Sequence, residues 1–299
     1  MIQYTNVATG YNSIRLRGID LDTGDRISEE VDFAPQYYTP TLRESPFLDF
    51  PHKQQRLEPQ NFDHHGSYRD FYKELRSSGA IFGRPNVEYD YIYRHHNDRA
   101  EYKTNHIRKF LLDIEVHADE FPKPEQAKFP IDACTVYDSD TGYVHVFHTK
   151  EGWTLDDCEL LDDPKMTDFD LKNKVKEYFC ANEKELLKKF VQFWVANYPD
   201  VVSGWNSDNF DMRYFYYRIP KVCSQTFLER LSPFHNVYTK QRKSLYGKEE
   251  VIVFEGIASL DYLQLYLKHT FKKRENYKLD TIAHIELKTN KLSYDEYES

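Results

Sequence analysis

Phe110-Leu111-Leu112-Asp113-Ile114-Glu115-Val116 is the stretch from which the rest of this chain can be read. Phe110, Leu112, Ile114 and Val116 recur at the period of a β-strand, so they share one face and leave Asp113 and Glu115 together on the other. Residues two apart along a strand have Cα atoms about 6.6 Å apart, close enough for two carboxylates to share divalent cations. Hard oxygen ligands favour Mg²⁺ or Mn²⁺. Standing alone, so short and common a pair reads as an exposed acidic strand face, and it gains weight only from its neighbours.

Working downstream, Ile131 to Tyr137 and Tyr143 to His148 read as strands joined by the turn Asp138-Ser139-Asp140-Thr141-Gly142, which gives three consecutive antiparallel strands. Residues 151–174 are charged and irregular and read as a surface insertion. Leu186, Leu187, Phe190, Val191 and Trp194 mark an amphipathic helix from Glu183 to Tyr198, stopped by Pro199. Val201 to Trp205 then forms a short buried strand, and a second helix runs from about Phe210 to Arg218, ended by Pro220. A hairpin is expected from Ser244 to Phe254 around Gly247-Lys248, and a helix from Leu260 to Lys268 with Leu260, Leu263 and Leu267 inward.

Between that buried strand and the second helix lies Asn206-Ser207-Asp208-Asn209-Phe210-Asp211, where a carboxylate can face the acids of the first strand. The alternative is a helix cap, with Asn206 or Asn209 accepting backbone hydrogen bonds and Asp211 favoured by the positive helix terminus.

Upstream, short strand-like runs alternate with turns such as Asp22-Thr23-Gly24-Asp25, and Ser67 to Ser77 reads as a helix with Phe71 and Leu75 on one face. The character changes near Tyr102. Two domains are therefore expected, 1–104 and 105–299, as the length of 299 residues suggests. His64-His65 and His95-His96 are adjacent pairs; in strands they point to opposite faces, which favours polar surface over metal binding.

Composition narrows the function classes. Hydrophobic residues make up 40% and aromatics 16%, which excludes a disordered chain. No apolar run reaches membrane-spanning length and the amino terminus carries no signal pattern, so a protein that is not exported is expected. Cys134, Cys158, Cys180 and Cys223 are scattered, as reduced thiols would be. A net charge of −9 opposes broad coating of a duplex, but two local basic runs stand out, Lys240/Arg242/Lys243/Lys248 and Lys268/Lys272/Lys273/Arg274/Lys278. Each is either a solvated face or a phosphate contact.

Phe-Leu-Leu-Asp113-Ile-Glu115 resembles the first exonuclease motif of family B DNA polymerases, and Gly204-Trp205-Asn206 through Phe210-Asp211 resembles the second. Phe121-Pro122, Ser232-Pro233, Leu245-Tyr246-Gly247-Lys248-Glu249, Leu260-Asp261-Tyr262-Leu263 and Lys291-Leu292-Ser293-Tyr294-Asp295 add a likeness to the polymerases of T4-like phages. The resemblance is dense from about residue 107 onward and weaker before it. It implies an α/β, ribonuclease H-like exonuclease domain, a mixed sheet with flanking helices, preceded by a smaller α+β amino-terminal domain. It also implies a two-metal 3′→5′ proofreading site using Mg²⁺ or Mn²⁺. There Asp113 bridges both ions, Glu115 binds the ion that activates water, and Asp211 helps to hold the other.

Phe121, Asn206 and Phe210 would then meet the single-stranded primer 3′ end. The hairpin at Tyr246, Gly247 and Lys248 would help to part primer from template DNA. The setting implied is the cytoplasm of an infected host cell, with a sliding clamp and a single-strand-binding protein as further partners.

The pattern breaks at the family's third motif, Tyr-x-x-x-Asp, which this sequence lacks; the polymerase palm, fingers and thumb are absent too. The expectation is an exonuclease portion of a split or shortened polymerase, completed by a second polypeptide and feeble alone. Two other readings compete. One is a noncatalytic nucleic-acid-binding or assembly module. The other is a freestanding nuclease that uses Asp280, Glu286 or Glu298 as substitute ligand.

Overall fold

A computed structural model describes residues 2–10, 13–49, 54–62, 70, 71, 73, 82, 86–96, 103–152, 174–244 and 247–289. The chain divides into two units, Met1–Ile107 and Arg108–Ser299.

In the first unit, β1 (Ile2–Thr9), β2 (Ser13–Asp20) and β3 (Arg26–Asp32) form an antiparallel meander. Its second turn is the expected Asp22–Asp25 one: Gly24 adopts φ 81° and donates its N–H to Asp20 O at 2.7 Å. Strands β4 (Gln36–Pro40), β5 (Phe47–Leu48) and β6 (Arg56–Asn61) form a second sheet in the order β4-β6-β5. Helix α1 (Val87–His96) completes a core of Ile14, Leu16, Phe33, Tyr37, Val87 and Tyr91. That helix corrects the strand reading of His95-His96. Both histidines belong to its last turn, where His95 stacks on Tyr91 at 4.5 Å and His96 lies 5.2 Å from the Tyr4 ring. The polar surface of α1 masked its two buried apolar positions, Val87 and Tyr91, one turn apart. Most of the expected Ser67–Ser77 helix lies outside the described residues.

The second unit is built on a six-stranded sheet. Its strands are β7 (Lys109–Val116), β8 (Ile131–Asp138), β9 (Tyr143–His148), β10 (Val175–Phe179), β11 (Val201–Ser203) and, near the end of the chain, β14 (Ala258–Ser259). The spatial order is β10-β9-β8-β7-β11-β14. β7, β8 and β9 pair antiparallel, as read from the sequence, while β10 runs parallel to β9, and β11 runs parallel to both β7 and β14. The sequence reading missed β10, which follows the insertion (153–173 lie outside the described residues), and the two-residue β14, too short for any periodicity to show.

Helix α2 (Glu183–Ala196) buries Leu186, Leu187, Phe190, Val191 and Trp194, the face expected, and is capped by Asn182, whose side chain accepts from Glu185 N at 3.1 Å. Helix α3 (Asp211–Val222) runs past Pro220 rather than stopping there. Proline in a last turn removes one backbone donor, and Cys223 N still closes onto Ile219 O at 2.8 Å. A short helix α4 (Gln225–Glu229) leads to the hairpin of β12 (Val237–Ser244) and β13 (Gly247–Phe254). The hairpin is longer than expected, because the first basic run is itself a strand: Lys240 faces Val251 and Arg242 faces Glu249.

Helix α5 (Tyr262–His269) is capped by Asp261, and α6 (Leu279–Leu287) follows. Leu260 precedes that cap and is 45% exposed, so it does not face inward; Leu263 and Leu267 are half-buried. Among the described residues no helix is long and apolar enough to cross a membrane.

Candidate active site

Alternation along β7 does what the sequence requires of it. Phe110, Leu112 and Ile114 enter the core, and Asp113 and Glu115 are exposed on the other face. β7 is also where the sheet changes sense, with antiparallel β8 on one side and parallel β11 on the other.

The chain leaves β11 through Gly204, which passes so close to β7 that a Cβ there would lie 2.6 Å from Leu112 O and 2.9 Å from Ser207 Cβ. Asn206 follows in the left-handed region at φ 64°. Its N–H donates to Asp261 Oδ1, and Asp208 N–H donates to Asp261 Oδ2, both at 3.1 Å. Neither Asn206 nor Asn209 caps α3: the cap position is Phe210, with no side-chain hydrogen bond, and the two asparagines bond to each other at 3.0 Å.

Asp211 opens α3 and is 3% exposed. Its Oδ1 accepts from Ile114 N at 3.0 Å, which fastens it to β7 between Asp113 and Glu115. Burial, and then the neighbouring Asp113 charge, push its carboxyl up to about 8. Cys134, paired with Ile114 across the sheet, reports the same crowding: burial first, then Asp211 and Asp113, raise its thiol well above the ordinary value.

A buried carboxyl beside a like charge is the environment that a hard cation relieves, so these oxygens suit a divalent ion. Among the described residues, no group of three or more His, Cys, Asp and Glu closes into a metal-binding cluster. Asp113 and Asp211 are the two carboxylates coupled by charge, and Glu115 shares the exposed face of β7.

Around the acids, Phe121 is 79% exposed, with its ring 6.4 Å from that of half-buried Phe210, which packs in turn against Tyr214 at 5.7 Å. Gly247 sits at the hairpin turn with φ 125°, and Lys248 beside it is exposed; Tyr246 lies outside the described residues. Of the substitute ligands weighed above, Glu286 is engaged by Arg274 and by Tyr266 Oη, the latter at 2.6 Å, Asp280 stands exposed in the first turn of α6, and Glu298 is outside the described residues.

The sequence reading passed over Asp261, Asp208, Arg213 and Arg242 as site residues. Asp261 was visible within Leu260-Asp261-Tyr262-Leu263, where an aspartate before an apolar run signals a cap. That it also anchors the Asn206–Asp208 turn has no local signal.

A mixed sheet with flanking helices and an acidic face on its switch strand fits an exonuclease domain. Residues 83–282 match the profile of the "DNA polymerase family B, exonuclease domain". The chain belongs to that family. It is 31% identical to the DNA-directed DNA polymerase of Escherichia phage RB69 and 29% identical to that of Enterobacteria phage T4, in each case over 98% of this chain and 33% of the relative. It is 29% identical to the DNA polymerase catalytic subunit of human herpesvirus 6A over 48% of this chain and 14% of that one. The chain thus spans about a third of the length of the phage relatives.

Proposed function

We propose that this chain carries the 3′→5′ proofreading exonuclease site of a phage-type DNA polymerase and removes nucleotides from a frayed primer 3′ end. The observation that carries this reading is the tie from Asp211 Oδ1 to Ile114 N, which sets a buried carboxyl against the acidic face of β7. The strand order β9-β8-β7-β11-β14, a meander on one side and parallel strands on the other, supports the ribonuclease H-like assignment. The boundary between an amino-terminal domain and the exonuclease domain is put in the 104–108 region.

In this reading Asp113 and Asp211, with Glu115 on the same strand face, would hold Mg²⁺ or Mn²⁺, two ions in the completed site. When bound, such ions lower the pKa of attacking water and stabilise the leaving oxygen of an in-line displacement. Water adds to the terminal phosphorus and the P–O3′ bond breaks. A strand shortened by one residue, with a free 3′-hydroxyl, and a nucleoside 5′-monophosphate result. Ile114 N–H keeps the Asp211 carboxyl pointed at the site. Exposed Phe121, backed by Phe210, offers a stacking surface that accepts any base, and Asn206 borders the same turn. Gly247 and Lys248 at the hairpin turn, with Tyr246 next to them in sequence, would meet the primer–template junction.

In this reading a further carboxylate and the polymerase domain come from polypeptide outside these 299 residues. The host-cell cytoplasm, the clamp and the single-strand-binding protein belong to the same reading.

The test is to incubate the chain with Mn²⁺ or Mg²⁺ and a 5′-labelled single-stranded oligonucleotide, with and without the downstream polymerase portion, beside Asp113→Ala. Stepwise 3′ shortening that Asp113→Ala abolishes supports the reading. Shortening untouched by that change removes Asp113 from the site and overturns the reading, and no shortening even with the downstream portion present overturns it in favour of a noncatalytic binding module.

A further inference from the structure

Two ion pairs of opposite polarity fasten the β12–β13 hairpin to the segment that carries Asp211. Arg242 on β12 places Nη2 2.9 Å from Oδ2 of buried Asp208, while Glu249 across the hairpin holds the same nitrogen at 2.8 Å. In the opposite sense, Arg213 on α3 reaches Glu250 on β13 at 3.2 Å, and its Nε lies 3.2 Å from Glu125. Asp208 precedes Asp211 by three residues and Arg213 follows it by two, so the acid is bracketed on both sides. Both contacts leave the hairpin from adjacent rungs, Arg242–Glu249 and Gln241–Glu250.

Asp208 has little freedom to follow the arginine. Its Oδ1 accepts from Ser259 Oγ, and its N–H is committed to Asp261. Simple anchoring of the hairpin needs none of this, because Val251, Ile252 and Phe254 already bury it in the core. Asp208 is buried and Arg213 largely so, and removing Arg242 or Glu250 leaves these charges less compensated, so the segment holding them responds.

We propose that Asp208, Arg213, Arg242 and Glu250 are positioning residues that couple the hairpin to the Asp211 turn, so that DNA bearing on the hairpin alters where the Asp211 carboxyl sits. The coupling is a property of the fold, and its consequence for cleavage rests on the exonuclease reading above.

Hydrogen exchange read by mass spectrometry tests the coupling without requiring activity. Glu250→Gln and Arg242→Gln, both hairpin changes, are expected to speed exchange across residues 206–214 several-fold, while Lys240→Gln, on the same hairpin outside the ion pairs, leaves that segment at the parent rate. The conservative change Glu250→Asp, which keeps a carboxylate opposite Arg213, should leave the segment closer to the parent rate than Glu250→Gln does. Faster exchange confined to the hairpin, or spread equally through α2, overturns the proposal, as does equal exchange in Glu250→Asp and Glu250→Gln.

Where cleavage is measurable, Glu250→Gln should lower the rate on primer–template more than the rate on single strands, and an equal loss on both counts against the coupling. Cleavage that Asp113→Ala fails to abolish would sink the exonuclease reading and leave the exchange result standing, so the two failures are distinguishable.

Discussion

Asp211 sits where the fold penalises its charge and rewards its geometry. The Ile114 N–H bond needs only an oxygen acceptor, whereas burial and the Asp113 charge both disfavour the ionised form. Asp211→Asn keeps an acceptor at that place and removes the like charge. Without divalent ions, its melting temperature is therefore expected to equal or exceed that of the parent. Adding Mn²⁺ should stabilise the parent, by about 2.7 kcal/mol at a hundredfold excess over Kd, and leave the variant unmoved. Equal stabilisation of both proteins in a thermal melt would remove Asp211 from the metal site. The acids were legible in sequence because strand alternation alone puts Asp113 and Glu115 on one face. Phe121 was legible only through the resemblance, since an isolated phenylalanine otherwise reads as core, and its place in the loop after β7 leaves it exposed. Arg213 and Arg242 were hidden for a related reason: on a helix and a strand rich in charge, nothing local separates an arginine aimed inward from one in solvent.

At the level of elements, the site depends on how closely β11 and its following turn approach β7. Gly204 is required there by space rather than by φ, because a methyl group would meet the Leu112 carbonyl oxygen at 2.6 Å. Gly204→Ala is expected to cost about 1–3 kcal/mol in denaturant unfolding, the usual range for overpacking. It should also weaken cation binding, since the turn carries Asp211; unchanged stability would show that the turn shifts freely.

The far end of β7 is held by a buried pair. Arg108 grips Asp138 through Nε–Oδ1 at 3.0 Å and Nη2–Oδ2 at 2.6 Å, and Thr141 Oγ1 donates to Oδ2 at 2.9 Å. Burial works to raise the Asp138 carboxyl, but the hydrogen bonds from Arg108 and Thr141 outweigh it and hold it below its ordinary value of 3.8. Its contribution to stability is thus complete above that pH and is lost as pH falls below it toward the folded value. Asp138→Asn is expected to cost up to about 3–5 kcal/mol at neutral pH, because it leaves buried Arg108 with only the more distant Asp140 carboxylate, 3.9 Å from Nε, as counter-charge. It should also flatten the loss of stability below pH 4. An undiminished acid transition would show that other carboxylates govern it. Elements with long periodic faces, β7, β8, β9 and α2, were readable from sequence. β10, β14 and α1 were not, because their signals are two to five residues long or are overlaid by polar side chains.

Across the whole chain, the net charge of −9 and the two basic runs pull in different directions, and the structure separates the runs. On the hairpin, Arg242 is neutralised by Glu249 and Asp208. In the later stretch, Arg274 is taken by Glu286, whereas Lys268, Lys272, Lys273 and Lys278 are all exposed. A protein this acidic should therefore contact few phosphates, through local lysines rather than a broad surface. Each phosphate contact contributes about −0.7 to the slope of log K against log salt for single strands, through counterion release. Lys272→Gln with Lys273→Gln is expected to reduce the steepness of that slope by about 1.4, two contacts' worth, in fluorescence-anisotropy titrations with a single-stranded oligonucleotide. Metal-dependent stabilisation should be untouched, because neither lysine belongs to the acidic site. A slope identical to the parent's would assign the 268–278 run to a solvated face and leave the exposed lysines of the hairpin, Lys240 and Lys248, as the phosphate contacts to vary next.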